Sequence, residues 1–355
     1  MNKLILDCDL MRHPNSGLYH YCLNLGHYIN KILEEQGAEK IGFYVPPAEV
    51  NSFSDPKNTI VEKRWHKSIK PFLWRCKLWH APFQSGRVVP YENKSIKVLL
   101  TIHDLNALHE GKPPDEQKKS LEHTQKLIDR ATAIVCISEF TKKDVLKNCK
   151  IGNKPVYVIH NGTHKIGEPK LSPSSYRPAR PFLFGMGYVN AKKNYHVLTS
   201  LLKSNEDIEL IIAGRLDEAD YISTFMKDAE ELNVADRLHL LGPVTEEEKG
   251  WYLSSCLAFV HPSLAEGFGA PVVEAMQFGK PLFLSNKTSL PEIGGDVAFY
   301  FSSFDPDHMQ QVYQDGMKCY TQSDFSEKIK ERAKAFNWEK NAFKYLDVYN
   351  TLLNA

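Results

Sequence analysis

The sequence predicts an α/β protein made of two parallel-sheet halves. Three observations lead there. Short, continuously apolar runs recur along the chain, amphipathic stretches of helical period separate them, and one proline-rich segment divides the series. Continuous apolar runs mark strands buried on both faces, as happens when helices cover both sides of a parallel sheet. Strand alternating with helix throughout gives the α/β class.

In the first half the strand-like runs are residues 4–6, 41–45, 98–102, 133–137 and 156–159. In the second they are 182–184, 208–213, 238–241, 257–260, 281–284 and 298–301. Helical periodicity is clear over 19–33, 117–130 and 221–232, and the C-terminal stretch reads as helix over 325–335 and 338–353. Residues 165–181 hold four prolines, three serines and no apolar periodicity, the composition of a linker. The expected domains are therefore 1–165 and 166–337, with a final helix, about 338–355, packing back onto the first. No solenoid-length repeat and no low-complexity tail is visible.

Bulk composition narrows the class. The chain has 355 residues, 42% hydrophobic and 25% charged, ordinary for a soluble two-domain protein. A formal net charge of +1 argues against nucleic acid as partner. The seven cysteines are scattered and form no C-x-x-C pair, which fits buried thiols in a reducing compartment. The N-terminal apolar run is too short for a signal peptide. No stretch approaches the ~20 apolar residues of a spanning helix. The expected location is the cytoplasm, free or peripheral on the inner face of the cytoplasmic membrane.

Ligands of open parallel sheets bind beyond the carboxyl ends of the strands, and the unusual residues lie there. The strongest pattern is HPSLAEGFGAPVVEAMQFGKP, residues 261–281. Glu266 opens a tight turn, Gly267, Phe268 and Gly269. Pro271 suits the first turn of a helix that carries Glu274 and stops at Gly279. Glycines let backbone N–H groups approach a ligand, and a helix start favours anionic or sugar oxygens. A carboxylate accepts two hydrogen bonds from a vicinal diol. Two carboxylates one short loop apart thus suit two polyols, a sugar at Glu266 and a ribose at Glu274. A plain strand–turn–helix connection with acids near the helix start is the bland alternative.

This segment resembles the signature of the retaining glycosyltransferases of family four. The resemblance runs along nearly the whole chain, through TIHD (101–104), ISEFT (137–141), HNG (160–162), KN (193–194), AGR (213–215), LGPV (241–244) and LPEI (290–293), in order. It implies the GT-B fold, two Rossmann-like domains facing a deep cleft, and transfer of a hexosyl unit from a nucleotide-diphosphate sugar. It is most similar to bacterial surface-polysaccharide mannosyltransferases, which makes GDP-mannose the leading donor and a glycan or lipid-linked acceptor the expected partner.

Residue by residue, the resemblance places the donor diphosphate at Lys193 and the donor sugar at His103 and Glu266. Many members carry an arginine six residues before the lysine; here Gly187 stands there, with Lys192 or Arg215 to compensate. The G-x-G at 185–187 lacks the third glycine of a dinucleotide fingerprint, which weighs against a nicotinamide oxidoreductase. Gly17 matches a glycine turn that closes over the donor phosphate or the acceptor, with Ser16 in place of the family's other glycine, but a simple N-cap by Asn15 or Ser16 explains the same residues. Arg215 and Val244 are expected beside the base. Two D-x-D pairs, Asp7/Asp9 and Asp305/Asp307, match the metal motif of another transferase fold. They read instead as a strand end and a helix N-cap, and no metal or other cofactor is expected. A GT-B epimerase and a non-catalytic partner subunit are the rival readings.

Residues 63–91 hold seven Lys/Arg, no Asp or Glu, and Trp65, Phe72, Trp74, Trp79 and Phe83. Such a mixture suits an anionic membrane surface. It equally suits a core-packed helix, about 68–76, and strand, 78–81, with solvated lysines.

Overall fold

The computed structural model describes residues 3–14, 16–53, 56–84, 86–167, 172–322 and 324–355. The chain divides into two compact units, Met1–His164 with Asn337–Ala355, and Lys165–Phe336.

The first unit contains β1 (Leu4–Asp7), α1 (Gly17–Glu35), β2 (Gly42–Val45), β3 (Thr59–Val61), β4 (Leu78–Ala81), β5 (Lys97–Ile102), α2 (Pro114–Arg130), β6 (Ala133–Cys136), α3 (Glu139–Asn148) and β7 (Val156–Val158). Its seven strands run parallel in the order β3-β2-β1-β4-β5-β6-β7. The second unit contains β8 (Phe182–Met186), α4 (Thr199–Ser204), β9 (Glu209–Ala213), α5 (Ala219–Glu231), β10 (Leu238–Gly242), α6 (Glu246–Ser255), β11 (Ala258–His261), α7 (Ala270–Met276), β12 (Leu282–Ser285), α8 (Leu290–Gly294), β13 (Phe299–Phe301), α9 (Pro306–Thr321) and α10 (Phe325–Ala333). Its six strands are also parallel, ordered β10-β9-β8-β11-β12-β13. The last helix, α11 (Trp338–Asn354), belongs to the first unit.

Both orders reverse direction once, between β1 and β4 in the first unit and between β8 and β11 in the second. These are the topological switch points, where adjoining connections leave on opposite faces and open a crevice.

Two strands were not among the apolar runs proper. β3 is a half-buried edge strand of three residues. β4 is fully buried yet carries His80 in its centre. His80 is tolerated because both ring nitrogens are bonded, Nδ1 to Tyr349 Oη at 2.7 Å and Nε2 to Thr101 Oγ1 at 2.8 Å.

The same contacts show why α11 docks on the first unit. Trp338, Ala342, Tyr345, Tyr349 and Leu352 recur at helical spacing and are buried with α1 and the sheet. The Tyr345 hydroxyl lies 2.6 Å from that of Tyr21. Truncating a buried aromatic of this size costs about 3–5 kcal/mol. Gly162 of the HNG motif is packed so closely on Trp338 that a Cβ would lie 2.4 Å from its backbone nitrogen, and Asn341 donates to the His160 carbonyl at 2.7 Å. Two thirds of that motif therefore serve helix docking.

The helix expected over about 68–76 does not form. Two 3-10 turns, Arg64–Lys67 and Pro71–Leu73, replace it. Pro71 removes a backbone donor and disfavours helical geometry at Lys70, so no continuous helix crosses this point.

Candidate functional site

The switch point of the second unit is occupied by a buried charge cluster. After β8, Asn190 caps the turn Ala191–Lys193 by accepting from the Lys193 backbone N–H, and this directs the lysine side chain inward. After β11, Glu266 reaches the same place from the other side. Lys193 Nζ donates to Glu266 Oε1 at 2.5 Å, and the same oxygen accepts from His261 Nε2 at 2.9 Å. Lys193 and Glu266 are each 9% exposed and His261 is fully buried.

Burial alone would raise the Glu266 carboxyl, but the Lys193 ammonium and the His261 hydrogen bond outweigh it and hold the group well below its ordinary range. Burial, helped by Lys193, lowers His261. His261 is therefore neutral, with Nε2 protonated toward Glu266 and Nδ1 bare; Nδ1 has no hydrogen-bond partner, and neither does the buried Tyr195 hydroxyl nearby. The loop around Glu266 is sewn in place. Its N–H donates to Thr288 Oγ1, Ser289 Oγ donates to the carbonyls of Glu266 and Phe268, and Leu264 N–H donates to the Lys192 carbonyl. Phe268 packs on Phe336, so its backbone is what it can offer a ligand. Gly267 is buried, and Gly269, with φ at +95°, opens α7 without a side-chain cap.

Glycines line the neighbouring strand ends. Gly187 and Gly214 have φ of +144° and +147°, and a Cβ on Gly214 would lie 1.9 Å from the Gly187 carbonyl oxygen. At 187 a Cβ would lie 3.2 Å from Lys193 Cε. An arginine at 187 would be strained in this backbone, which explains physically why a glycine stands there. Arg215 pairs with Asp217 and sits with its guanidinium 5.4 Å from the Tyr188 ring centre, beside this rim. Val244 is half-buried just before α6.

Glu274, on α7, is paired with Lys249 of α6 at 3.3 Å. Lys249 is itself buried and also bonds Glu246 at 2.7 Å. The second unit thus brings Lys193 and Glu266 together and holds Glu274 as a separate ion pair.

In the first unit His103 follows β5. Its Nε2–H donates to the Pro82 carbonyl at 2.8 Å, and its ring packs edge-on against Tyr21 and Phe83. Burial lowers it to about 4, so it is neutral, with Nδ1 as its remaining acceptor. Gly17 is the first residue of α1. Ser16 caps that helix by accepting from Tyr19 N–H, and a Cβ on Gly17 would meet nothing within 4 Å. Asn15, the other expected cap, lies outside the described residues.

The D-x-D pairs have structural partners. Asp7 accepts from Asp9 N–H at the end of β1, and Asp305 caps α9 through Asp307 and His308 N–H. Among the described residues no group of three His, Cys, Asp or Glu is placed to hold a metal ion, and no helix is long and apolar enough to cross a membrane. A pocket of about 610 Å³, lined by Lys3, Trp74, Lys77 and Lys97 among others, lies at the amino ends of β1, β4 and β5. That is the end of the first unit's strands opposite the carboxyl end of β5, which His103 follows.

Two family models match this chain, "Glycosyl transferases group 1" over residues 172–336 and "Glycosyltransferase Family 4" over residues 42–164. The two models together span most of the chain, which is a glycosyltransferase. It is 25% identical to O-antigen chain mannosyltransferase B of Escherichia coli, across 99% of this chain and all of that one. Among solved structures, a sucrose-phosphate synthase from Thermosynechococcus elongatus superposes with a TM-score of 0.78 at 17% identity, covering all of both chains. The Anabaena protein HepE, solved with UDP and glucose, gives 0.75 at 17% identity, covering 99% of this chain and all of that one. The fold is GT-B, two Rossmann-like parallel-sheet domains.

In this glycosyltransferase, three residues that hold Glu266 or Glu274 in place escape a reading of the sequence. His261 ends a buried strand, where a histidine reads as core. Lys249 looks like a solvated position in the acidic first turn of α6, and its burial against Glu274 follows only from packing. Thr288, at φ +50°, is a β-branched residue in left-handed geometry whose hydroxyl positions the Glu266 backbone. Nothing local marks it.

Proposed function

We propose that this glycosyltransferase moves a mannosyl unit from GDP-mannose to a glycan or lipid-linked acceptor, retaining anomeric configuration and using no metal ion. The observation that carries the reading is the buried Lys193–Glu266 pair at the second unit's switch point. A lysine here supplies the positive charge that a departing diphosphate needs, and Glu266 supplies a carboxylate for sugar hydroxyls. Lys193 and Glu266 neutralise each other, so the pair is charge-balanced within the protein.

In the reaction the bond between the anomeric carbon and the diphosphate oxygen breaks, leaving an oxocarbenium-like sugar. The acceptor hydroxyl attacks from the same face, and its proton passes to the departing diphosphate. Lys193 stabilises the charge that develops on that oxygen, Glu266 orients the sugar, Glu274 holds the ribose, and neutral His103 lends Nδ1 as an acceptor. His261 is a positioning residue that fixes Glu266. The mannosyl reading is supported by the similarity to the E. coli O-antigen enzyme. On the acceptor side, Trp74 is 77%, Ile69 65% and Trp65 46% exposed in the basic segment 63–91, while Trp79 is core. That exposed set supports a peripheral membrane contact; absence of pelleting with anionic liposomes at low salt would refute it.

The deciding experiment incubates the purified chain with radiolabelled GDP-mannose, GDP-fucose, UDP-glucose or UDP-N-acetylglucosamine, plus EDTA and a membrane glycolipid extract. Transfer from GDP-mannose, with the product sensitive to α-mannosidase, is the expected outcome. Transfer from a UDP-sugar alone, a β-linked product, or activity abolished by EDTA would each overturn the corresponding part.

A further inference from the structure

The switch point of the first unit holds a second charge cluster with a different balance. Arg12 leaves the loop after β1, Lys63 and Arg64 follow β3, and Arg87 lies in the connection after β4. With Glu62 and Pro47 these residues line a pocket of about 450 Å³. Glu62 Oε2 accepts from Arg12 at 2.6 Å and Glu62 Oε1 from Arg87 at 3.0 Å. Beneath them Asp9 is buried, 3.7 Å from Arg12 and 3.6 Å from Arg87, and its Oδ2 accepts no hydrogen bond. The two arginines are thus held by two carboxylates. Lys63 and Arg64 are not: the Lys63 ammonium stands 5.8 Å over the Trp65 ring, and exposed Arg64 pairs with no carboxylate among the described residues.

We propose that this pocket is a phosphate subsite for the acceptor, formed by Arg12, Lys63, Arg64 and Arg87. The inference rests on the transferase reading only for the word acceptor. Glu62 and Asp9 offset two of the four cations, and burial raises the Asp7 carboxyl behind them well above its ordinary range, so positive charge is left in surplus for a phosphate. Guanidinium forks suit phosphate oxygens in a way that a purely hydroxylic acceptor would leave unused. The position is also one where an open parallel sheet takes ligands. A lipid-linked diphosphate and a free sugar phosphate share this chemistry.

The test uses the full chain with GDP at saturation, so that the donor site is filled. Calorimetry then measures binding of farnesyl diphosphate, of glucose 1-phosphate and of uncharged glucose. At least one phosphate probe is expected to bind more tightly than glucose, and Arg64→Glu is expected to weaken it at least tenfold. Arg64 is exposed, so this variant and Arg64→Ala should fold normally, as a melting curve checks. Preference for the prenyl probe assigns a lipid-linked acceptor, and preference for the sugar phosphate a soluble one. Equal binding of phosphate probes and glucose, or unchanged affinity in both variants, overturns the subsite. Binding of GDP alone is a separate reading: its absence counts against the donor site and leaves the phosphate result to judge the subsite.

Discussion

At the switch point of the second unit, one lysine meets one carboxylate, both buried, and a neutral histidine braces the carboxylate. At the switch point of the first, two arginines straddle Glu62 near the surface, and Arg64 beside them pairs with no carboxylate among the described residues. The strand order around the two points is the same apart from the extra edge strand β7. The difference lies in what the loops carry. A buried lysine left unpaired would pay a desolvation penalty of several kcal/mol, so the second unit must neutralise its cation internally. Surface cations meet no such penalty, so the first unit can leave charge in surplus for a ligand. One sheet topology thus supports a pre-balanced site and an unbalanced one.

The sharpest way to break this comparison is to unbalance the second unit. Lys193→Ala leaves Glu266 buried with only His261, and turnover should fall on the order of 10³-fold, with stability reduced by about 3 kcal/mol. The double variant Lys193→Met with Glu266→Gln removes both charges. It should recover most of the stability and none of the activity, as steady-state kinetics and thermal unfolding would show. Turnover of Lys193→Ala within threefold of the parent would end the proposed role of the pair.

A smaller effect is expected at Glu274. Its pairing with Lys249 lies apart from the reacting centre, so Glu274→Ala should raise the KM for donor about tenfold or more and change kcat little. A kcat loss with KM unchanged would move Glu274 into the chemistry and contradict the assignment.

The mildest effect concerns pH. Burial holds His80 down to about 3 and His103 to about 4, against an ordinary value of 6.5. Below pH 6.5 the unfolded chain binds protons that the folded chain refuses. Stability is therefore full above that pH and falls as the solution is acidified, by about 1.4 kcal/mol per pH unit for each such histidine. Both lie in the first unit, which also holds Trp65, Trp74, Trp79 and Trp338, leaving only Trp251 in the second. Tryptophan fluorescence should report loss of the first unit between pH 6 and pH 4, with a shallower dependence in His80→Gln. Identical pH profiles for parent and variant would remove His80 as a cause.

Much of the fold is legible in the chain because burial on both sheet faces forces long apolar runs, as in ELIIA of β9 or KVLLTI of β5. β3 escapes because an edge strand is short and half-wet. The strand 78–81 is legible as one of two readings, since His80 breaks its apolar run and is satisfied by residues 21 and 269 positions away. Lys193 and Glu266 stand out one at a time through their glycine-rich and capped turns. Their contact does not, since 73 residues lie between them.

What the sequence by itself determined is the class of local structure and the chemical types at each strand end, because periodicity, turn residues and caps act within a few residues. The tertiary structure decided which charges meet. Only the parallel strand order brings the loops after β8 and β11 side by side, and those after β1, β3 and β4 around one pocket. Coulombic balance depends on distances of a few ångströms that no local pattern encodes.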